Sequence, residues 1–256
     1  MEQKMRDPLV SIIMASYNAD KTISAAIKSV IAQTYTNWEL LVVNDCSTDN
    51  TLVVSETFDD PRIRIINNVN NLGVSETRAE GLAEARGDWI AILDSDDKWR
   101  PEKLQKQIDL IRKTNAELVY TGSGFMNENG IIRDWVLHVP PFLTFKRLLK
   151  QNLISNSSAL VKKELYRRFY AYGDNMHEDY AIWLGITKSG IKAYGIDEPL
   201  LIYRISKSSK SSSKIKAAKM NWNTYRYVGL SLTTSFYYMC WYTINGLIKY
   251  KHLIQQ

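Results

Sequence analysis

The sequence predicts an α/β fold in which a mostly parallel central sheet is flanked by helices and followed by a helical, basic and aromatic C-terminal tail. Short apolar runs alternate with helix-length segments through the first half, a pattern typical of a parallel sheet covered on both faces. One apolar run, residues 89–93, is uninterrupted and therefore indicates a strand buried on both faces. From residue 199 onward the chain holds nine Lys and Arg and no acid, which sets the tail apart.

The first half contains four predicted strands and four predicted helices in alternation. The strands are 10–15, 39–43, 62–66 and 89–93, and the helices are 23–33, 51–58, 74–86 and 101–113. Side-chain oxygens at 47–49 are suited to capping the second helix. Gly87 is predicted to close the third helix as a C-cap.

The second half lacks this regular alternation and predicts a mixed region. Predicted strands are 118–120, 191–196 and 200–205, and predicted helices are 144–151 and 178–189. Asn129-Gly130 is a hairpin turn signal between 124–126 and 131–132. The Ser/Lys-rich segment 206–213 is typical of a linker. We therefore expect one domain over 1–206, with halves 8–113 and 114–206, and a separate tail over 207–256.

Composition places the protein among folded soluble proteins, with 45% apolar and 23% charged residues. Two cysteines far apart in sequence, Cys46 and Cys240, indicate neither a disulfide framework nor a metal knuckle, which fits a reducing compartment. The N-terminus shows no apolar signal region, so export is not expected.

The net charge of +6 belongs to the tail, because the first 198 residues hold 24 bases against 27 acids. Such asymmetry predicts an anionic partner for the tail, either nucleic acid or a membrane surface.

Polar clusters follow the predicted strands, at the sheet edge where open α/β sheets bind ligands. They are 16–18, 44–45, 70–73 and 94–96. Carboxylates of Asp94 and Asp96, one residue apart at a strand end, can reach one divalent cation such as Mg²⁺. The alternative is an acid-rich helix start, since Pro101 follows closely.

Two further side chains at this edge suit a nucleotide. Tyr17 can stack on a base and Asp45 can accept from a base N–H, although Tyr17 alone is more often a core residue and Asp45 alone a helix cap. Neither Gly-x-Gly-x-x-Gly nor Gly-x-x-x-x-Gly-Lys-Ser/Thr occurs, so a dinucleotide or P-loop phosphate cradle is not indicated.

Taken in order, these motifs resemble family 2 glycosyltransferases with the GT-A fold, of the bacterial type that builds surface polysaccharide. The resemblance covers about residues 8 to 210. It is carried by segments 10–18, 33–40, 44–51, 71–73 with Arg78, 94–97, 178–183 and 203–204.

The resemblance implies a role for each matched position. Asp94 and Asp96 form the Asp-x-Asp motif, with Asp96 the stronger ligand of Mn²⁺ or Mg²⁺, and Asp179 is the catalytic base. The residues implied in nucleotide-sugar binding are Ala15, Ser16, Tyr17, Asn18, Asp45, Arg78, Asp94 and Ser95. Asp179 also fits a plainer interpretation, an acid stabilised in the first turn of a helix.

The implied chemistry is direct displacement. A divalent cation stabilises charge on the departing nucleotide, and one carboxylate removes the proton of the attacking hydroxyl. One base without an enzyme nucleophile implies inversion. The Gln-x-x-Arg-Trp motif of processive synthases is absent, which favours transfer of one sugar per encounter. Ser206 stands where many relatives have a His that reaches the metal or diphosphate, so no third metal ligand is predicted.

Residues 227–248 carry no charge and are long enough to span a bilayer at ~1.5 Å per residue. Their Tyr, Trp and hydroxyl side chains instead favour helices lying on the anionic inner leaflet of the cell membrane. A soluble packing helix is the alternative. We therefore expect a cytoplasmic, peripheral protein whose tail contacts an anionic membrane surface, with no nucleic-acid partner.

The predicted function is transfer of one sugar from a nucleotide sugar, a UDP-sugar, to a hydroxyl of a glycan acceptor that is lipid-linked. Two alternatives use the same residues differently: another metal-dependent nucleoside-diphosphate enzyme, such as a nucleotidyltransferase, or a non-catalytic membrane-surface adaptor. The sequence specifies neither the donor sugar, the linkage nor the oligomeric state.

Overall fold

The structure, a computed structural model, describes residues 7–173, 175–205 and 214–254. Its elements in chain order are β1 (Val10–Ser16), α1 (Ile23–Ile31), β2 (Trp38–Asn44), α2 (Thr51–Glu56), β3 (Ile63–Asn67), α3 (Val74–Glu84), β4 (Trp89–Ile92), β5 (Lys98–Trp99), α4 (Lys103–Thr114), β6 (Leu118–Met126), β7 (Ile132–Leu137), β8 (Phe142–Leu143), α5 (Phe145–Lys150), β9 (Leu160–Lys162), α6 (Lys163–Arg168), α7 (Glu178–Lys188), β10 (Ala193–Arg204), α8 (Lys214–Tyr227) and α9 (Leu232–Ile254).

The first four strands form a parallel sheet in the order β3-β2-β1-β4. In this register Ser16 lies opposite Asn44, and Asn44 lies opposite Asn67. The carboxyl ends of these strands therefore end at one level, and the polar residues that follow them are brought to one edge. The α/β fold class predicted from the sequence is confirmed.

The rest of the sheet is mixed. The short strand β9 runs antiparallel to both β4 and β6, while β10 runs parallel to β6 and antiparallel to β5 and β8. The two predicted closing strands form the single strand β10, which is irregular around Pro199 because proline cannot donate to the ladder. The predicted hairpin is confirmed: β6 pairs with β7, and Gly130 has φ +79°.

Gly87 does not cap α3, contrary to the sequence prediction. The helix ends at Glu84 and is followed by Ala85 in an extended conformation. The reason for glycine at position 87 is crowding, because a Cβ atom there would come within 2.5 Å of the Leu9 carbonyl oxygen and 2.8 Å of the Ser11 Oγ atom. The Gly87 N–H donates to that same Ser11 hydroxyl at 2.8 Å.

The helices of the tail pack onto the domain. Tyr225 on α8 is fully buried, donates to the Leu149 carbonyl at 2.5 Å, and lies edge-on to Tyr180 of α7. A turn at Gly229, with φ +82°, separates α8 from α9. In the described part of the chain no helix is long and apolar enough to cross a membrane. The predicted linker 206–213 lies outside the described residues.

A lysine is buried in the core beside the sheet. Lys103, at the start of α4, is fully buried, donates to the Gln107 Oε1 atom at 2.9 Å, and has its amine 3.8 Å from the centroid of the Trp99 ring. None of the salt bridges among the described residues includes it. Burial therefore lowers the pKa of Lys103 well below its usual value.

This burial predicts a specific dependence of stability on pH. The unfolded chain binds a proton at Lys103 that the folded chain does not, so folding is favoured as the pH rises from the lowered pKa towards ~10.4. The free energy of unfolding of wild type should therefore rise relative to Lys103→Met across that window, measured by urea unfolding. The exposed Lys113→Met on the same helix is the control. If the difference in free energy of unfolding between wild type and Lys103→Met did not change with pH, the Lys103 amine would be charged in the folded protein.

Candidate functional site

The carboxyl ends of β1, β2 and β4 bring their polar residues together. The Asp45 N–H donates to the Ser16 carbonyl at 2.8 Å, and the Leu93 N–H donates to the Ile13 carbonyl at 3.1 Å. The loop after β1 therefore lies between the loop after β2 and the acidic turn after β4, as the strand order β2-β1-β4 requires.

The loop after β1 is fixed by its neighbour. Asn18 has φ +48°, accepts from the Thr48 N–H at 2.9 Å, and donates its own N–H to the Ser47 Oγ atom at 3.1 Å. Between these anchors Tyr17 is 51% exposed, which excludes the core-residue alternative and leaves the ring accessible to a ligand. Ser16 is buried and its hydroxyl donates to Val43 at 3.3 Å, whereas Ala15 is half-buried.

Asp45 is buried and organises the loop that leads into α3. Its carboxylate accepts from the Leu72 N–H at 2.8 Å, the Gly73 N–H at 2.9 Å and the Asn68 amide at 3.1 Å. Gly73 precedes α3 with φ +83°, a conformation that favours glycine. Asp45 does not cap α2, the helix that follows it in sequence, because the Thr51 N–H there donates to Asp49.

Arg78 joins two parts of the site that are far apart in sequence. Its Nη2 atom lies 2.6 Å from Oδ1 of Asp94, at the end of β4, and its Nη1 atom lies 3.0 Å from Oε1 of Glu178, at the start of α7. Burial opposes the charged form, but the two carboxylates outweigh it and raise the pKa of Arg78 above its usual value. The guanidinium is thus permanently charged and fixes both acids.

Sequence analysis identified Arg78 and Asp94 as site residues but did not identify Glu178 as the second ion-pair partner of Arg78. Glu178 and Arg78 are 100 residues apart and lie on different helices, so no local spacing connects them. The usable signal is the physical requirement that a buried arginine has a carboxylate partner.

The acidic turn after β4 contains a half-buried carboxylate, Asp96, and a fully buried one, Asp97. Asp97 is buried and accepts from the backbone N–H of Arg204 at 2.9 Å, while Arg204 Nε donates to the carbonyl of Asp96 at 2.9 Å. Burial, and then the negative charge of Asp94, raise the pKa of Asp96 to about 6. Ser95, between the two acids, is half-buried.

A divalent cation fits this turn. The carboxylates of Asp94 and Asp96 are hard oxygen donors, and their mutual repulsion, which raises the pKa of Asp96, would be relieved by a cation between them. The described residues contain no group of three or more His, Cys, Asp or Glu arranged to hold a metal. A pair of carboxylates suits Mg²⁺, which takes one or two carboxylates and completes its shell with water or phosphate oxygens. Ser206, at which no third metal ligand was predicted, lies outside the described residues.

Asp179 lies in the first turn of α7, half-buried and next to Glu178. Burial, and then the charge of Glu178, raise the pKa of Asp179 to about 6. The turn before it is held by α8: the His177 N–H donates to the Thr224 Oγ1 atom at 3.1 Å, and the Asn223 amide donates to the Asn175 carbonyl at 2.7 Å. Sequence analysis did not predict this support from the tail.

The double ion pair of Arg78 predicts a large coupling energy. Arg78→Met leaves Glu178 buried without its cation, which should cost ~3–5 kcal/mol of stability, whereas the double variant Arg78→Met/Glu178→Gln should lose much less than the sum of the singles. Urea unfolding of the four proteins measures this coupling. Arg112→Met, which breaks an exposed pair, should cost ~0–1 kcal/mol. Additive losses would contradict a role for Arg78 as the link between β4 and α7.

Comparison with known proteins gives a consistent family match. The sequence model of "Glycosyl transferase family 2" matches residues 11–171. The Escherichia coli protein WfgD, named as a UDP-Glc:alpha-D-GlcNAc-diphosphoundecaprenol beta-1,3-glucosyltransferase, is 38% identical over 247 residues, 96% of each chain. TuaG of Bacillus subtilis, a glycosyltransferase whose name assigns it provisionally to teichuronic acid biosynthesis, is 36% identical over 221 residues, 86% of this chain and 88% of TuaG.

A solved structure shares the fold. The mannosyltransferase PcManGT from Pyrobaculum calidifontis, in complex with GDP-Man and Mn²⁺, superposes with a TM-score of 0.68 at 18% sequence identity. The match covers 87% of the present chain and 64% of PcManGT. At this identity the likeness concerns the arrangement of strands and helices.

Proposed function

The chain belongs to glycosyl transferase family 2, and from that premise we propose that it transfers one sugar from a UDP-sugar to a hydroxyl of a lipid-linked glycan in bacterial surface polysaccharide synthesis. The family and fold expected from the sequence are thereby confirmed. The observation that carries the proposal is the Arg78 bridge, which places the acidic turn after β4 beside the acids that begin α7. Neither the nucleotidyltransferase nor the adaptor alternative has a comparable observation in its favour.

The donor nucleotide is assigned to the edge formed by β1, β2 and β4. The residues proposed to contact it are Ala15, Ser16, Tyr17, Asn18, Asp45, Arg78, Asp94 and Ser95. The exposed ring of Tyr17 offers a stacking face for the base. A carboxylate has about four lone-pair positions, and three protein donors reach that of Asp45, so one acceptor position remains for a base N–H. UDP is proposed because WfgD is named as a UDP-Glc enzyme.

Asp96, with Asp94, is proposed to hold a divalent cation, Mn²⁺ or Mg²⁺. When bound, such a cation supplies Lewis-acid stabilisation of the charge on a departing diphosphate. The complex of PcManGT with GDP-Man and Mn²⁺ supports this assignment. Arg78 contributes by holding Asp94 in place at 2.6 Å, and the backbone of Asp96 is held by Arg204.

Asp179 is proposed as the general base. The acceptor hydroxyl oxygen forms a bond to the anomeric carbon, its proton passes to the Asp179 carboxylate, and the bond from the anomeric carbon to the diphosphate oxygen breaks with release of UDP. A pKa of about 6 keeps this carboxylate ionised at neutral pH and close to the optimum for a base. With one base and no assigned enzyme nucleophile, the displacement is direct and inverts the anomeric configuration. One sugar is transferred per encounter.

The tail is proposed to hold the enzyme against the inner face of the membrane, where its lipid-linked acceptor lies. The domain 1–206 carries the chemistry, in halves 8–113 and 114–206, and 207–256 makes the contact. The supporting observation is a set of exposed apolar side chains along α9. They are Leu232, Phe236, Tyr237, Trp241 and Ile244.

A transfer assay tests the function and the metal assignment together. Wild type should release UDP from a UDP-sugar only when a diphospholipid-linked sugar and Mn²⁺ are both present, and EDTA should stop the release. Asp96→Asn, which removes one anionic ligand, should abolish the stimulation by Mn²⁺, while the exposed Asp109→Asn should behave as wild type. UDP release in EDTA equal to that in Mn²⁺ would refute metal dependence. Failure to release UDP across a panel of UDP-sugars would overturn the choice of donor nucleotide.

Removal of the base separates chemistry from donor binding. Asp179→Asn should lower kcat by ~100-fold or more, the usual contribution of general base catalysis, and leave the KM for the donor unchanged. In wild type, kcat/KM should fall as the pH drops below about 6, because Asp179 becomes protonated. Glu164→Gln, at the equivalent turn of α6, is the matched control. A kcat within a few-fold of wild type would move the base elsewhere, with Glu178 the next candidate.

Membrane contact is tested by vesicle sedimentation. Full-length protein should pellet with vesicles that contain anionic lipid, and moderate salt should weaken this, since each Lys or Arg near an anionic surface contributes ~1 kcal/mol that salt screens. Phe236→Ser/Tyr237→Ser should reduce pelleting, whereas Ile131→Ser/Ile132→Ser, an exposed apolar pair on the β6–β7 hairpin, should not. If wild type pellets with neither neutral nor anionic vesicles, the tail serves only packing.

A further inference from the structure

A cavity lies along α7, on the side that faces the tail. It has a volume of about 460 Å³ and is lined by residues from α6, from α7 and from the turn between α8 and α9. Ala181 and Gly185 form part of its lining on α7, and a Cβ atom at position 185 would come within 2.8 Å of the Phe169 ring. The absence of a side chain at position 185 therefore lets Phe169 pack directly against α7.

The chemistry of this cavity is that of an anion site. Arg168 and Lys188 contribute two cations to its lining, and no acid is among the described residues that line it. Neither cation takes part in a salt bridge among the described residues. The Lys188 amine donates to the Val228 carbonyl at 2.7 Å, which leaves two of its three donors available. Two cations in a cleft without a carboxylate attract phosphate groups more strongly than neutral ligands.

The cavity adjoins the proposed active site. Glu178, Ala181, Gly185 and Lys188 follow one another at intervals of three or four residues, which places them on one stripe of α7 that is ~15 Å long. Tyr170 lines the cavity and donates its hydroxyl to the Ser75 carbonyl at 2.5 Å, one turn before Arg78 on α3. On α7 the cavity therefore begins at Ala181, one helical turn beyond Glu178, and extends towards the tail.

We propose that this cleft binds the diphosphate that joins the acceptor sugar to its lipid, an assignment that rests on the proposed function. A sugar whose hydroxyl reaches Asp179 carries its diphosphate on the opposite side of the ring, further along α7. Lys188 follows Asp179 by nine residues, ~13.5 Å of helix, and its side chain extends back towards the start of the helix. Arg168 and Lys188 then bind the diphosphate, and the Tyr227–Gly229 wall directs the lipid towards the exposed apolar side chains of α9. The cleft thereby selects acceptors with a diphosphate link over plain glycosides.

Steady-state kinetics with two acceptors test this assignment. One acceptor is a short-chain prenyl-diphosphate sugar and the other is an uncharged alkyl glycoside of the same sugar. Arg168→Gln/Lys188→Gln should raise the KM of the diphosphate acceptor by ~10-fold or more, since charged hydrogen bonds are lost, and leave both the donor KM and the activity on the glycoside unchanged. Arg100→Gln/Lys113→Gln removes two exposed bases elsewhere and should have no effect.

The single variant Arg168→Gln keeps the hydrogen bond from Lys188 to the Val228 carbonyl, so it leaves the α8–α9 turn undisturbed. It should show the same selective effect on a smaller scale. An unchanged KM for the diphosphate acceptor, or an equal loss in the Arg100/Lys113 control, would overturn the proposal.

A binding measurement separates this proposal from the proposed function. Inorganic pyrophosphate is titrated into wild type and the double variant with UDP at saturation, so that the donor site is filled. Wild type should bind pyrophosphate and the double variant should bind it at least ~10-fold more weakly. If wild type transfers sugar to neither acceptor, the proposed function fails. If wild type and the double variant bind pyrophosphate equally, the cleft is not an anion site and the proposal for it fails. If pyrophosphate binds selectively but the KM of the lipid acceptor does not change, the cleft binds free anions and its assignment to the acceptor is wrong.

Discussion

Arg78 is a buried guanidinium held between two carboxylates, Asp94 and Glu178, that are far apart in the sequence. A buried charge of this kind is tolerated only when it is paired, and removal of one partner leaves an uncompensated charge in the interior. Its contacts with Asp94 and Glu178 therefore constrain three elements at once: α3, the end of β4 and the start of α7. This pairing therefore joins the element that carries the proposed metal ligands to the element that carries the proposed base.

The tail takes part in the same arrangement. On α8, Thr224 accepts a hydrogen bond from the turn that precedes α7, and Asn223 donates one to that turn. Tyr225 of the same helix is buried against Tyr180. A segment that the sequence marks only by its basic charge thus supports the helix of the proposed base with one face. The following helix, α9, presents exposed aromatic side chains, which form the surface proposed to contact the membrane.

The sequence predicted the parts of the structure that depend on local pattern. Apolar runs gave the parallel strands, and polar residues after each run gave the edge where Tyr17, Asp45 and Asp94 meet. It did not predict β9, because three residues are too short to carry a period, nor the continuity of β10 through Pro199. Gly87 was wrongly predicted to cap α3, because the sequence alone does not distinguish a glycine that caps a helix from a glycine required by steric crowding. The partnership of Arg78 with Glu178 and the support from Thr224 were missed because both depend on contacts between distant segments.

The proposed reaction is a single displacement with one base, so the stereochemistry of transfer tests it most directly. Proton NMR of the product made from an α-linked UDP-sugar reports the configuration of the new glycosidic bond through the coupling constant of its anomeric proton. Direct attack by a hydroxyl deprotonated at Asp179 predicts a β linkage. An α linkage would require a second displacement or a front-face attack, and would contradict the assignment of Arg78, Asp94 and Asp179 to one inverting site.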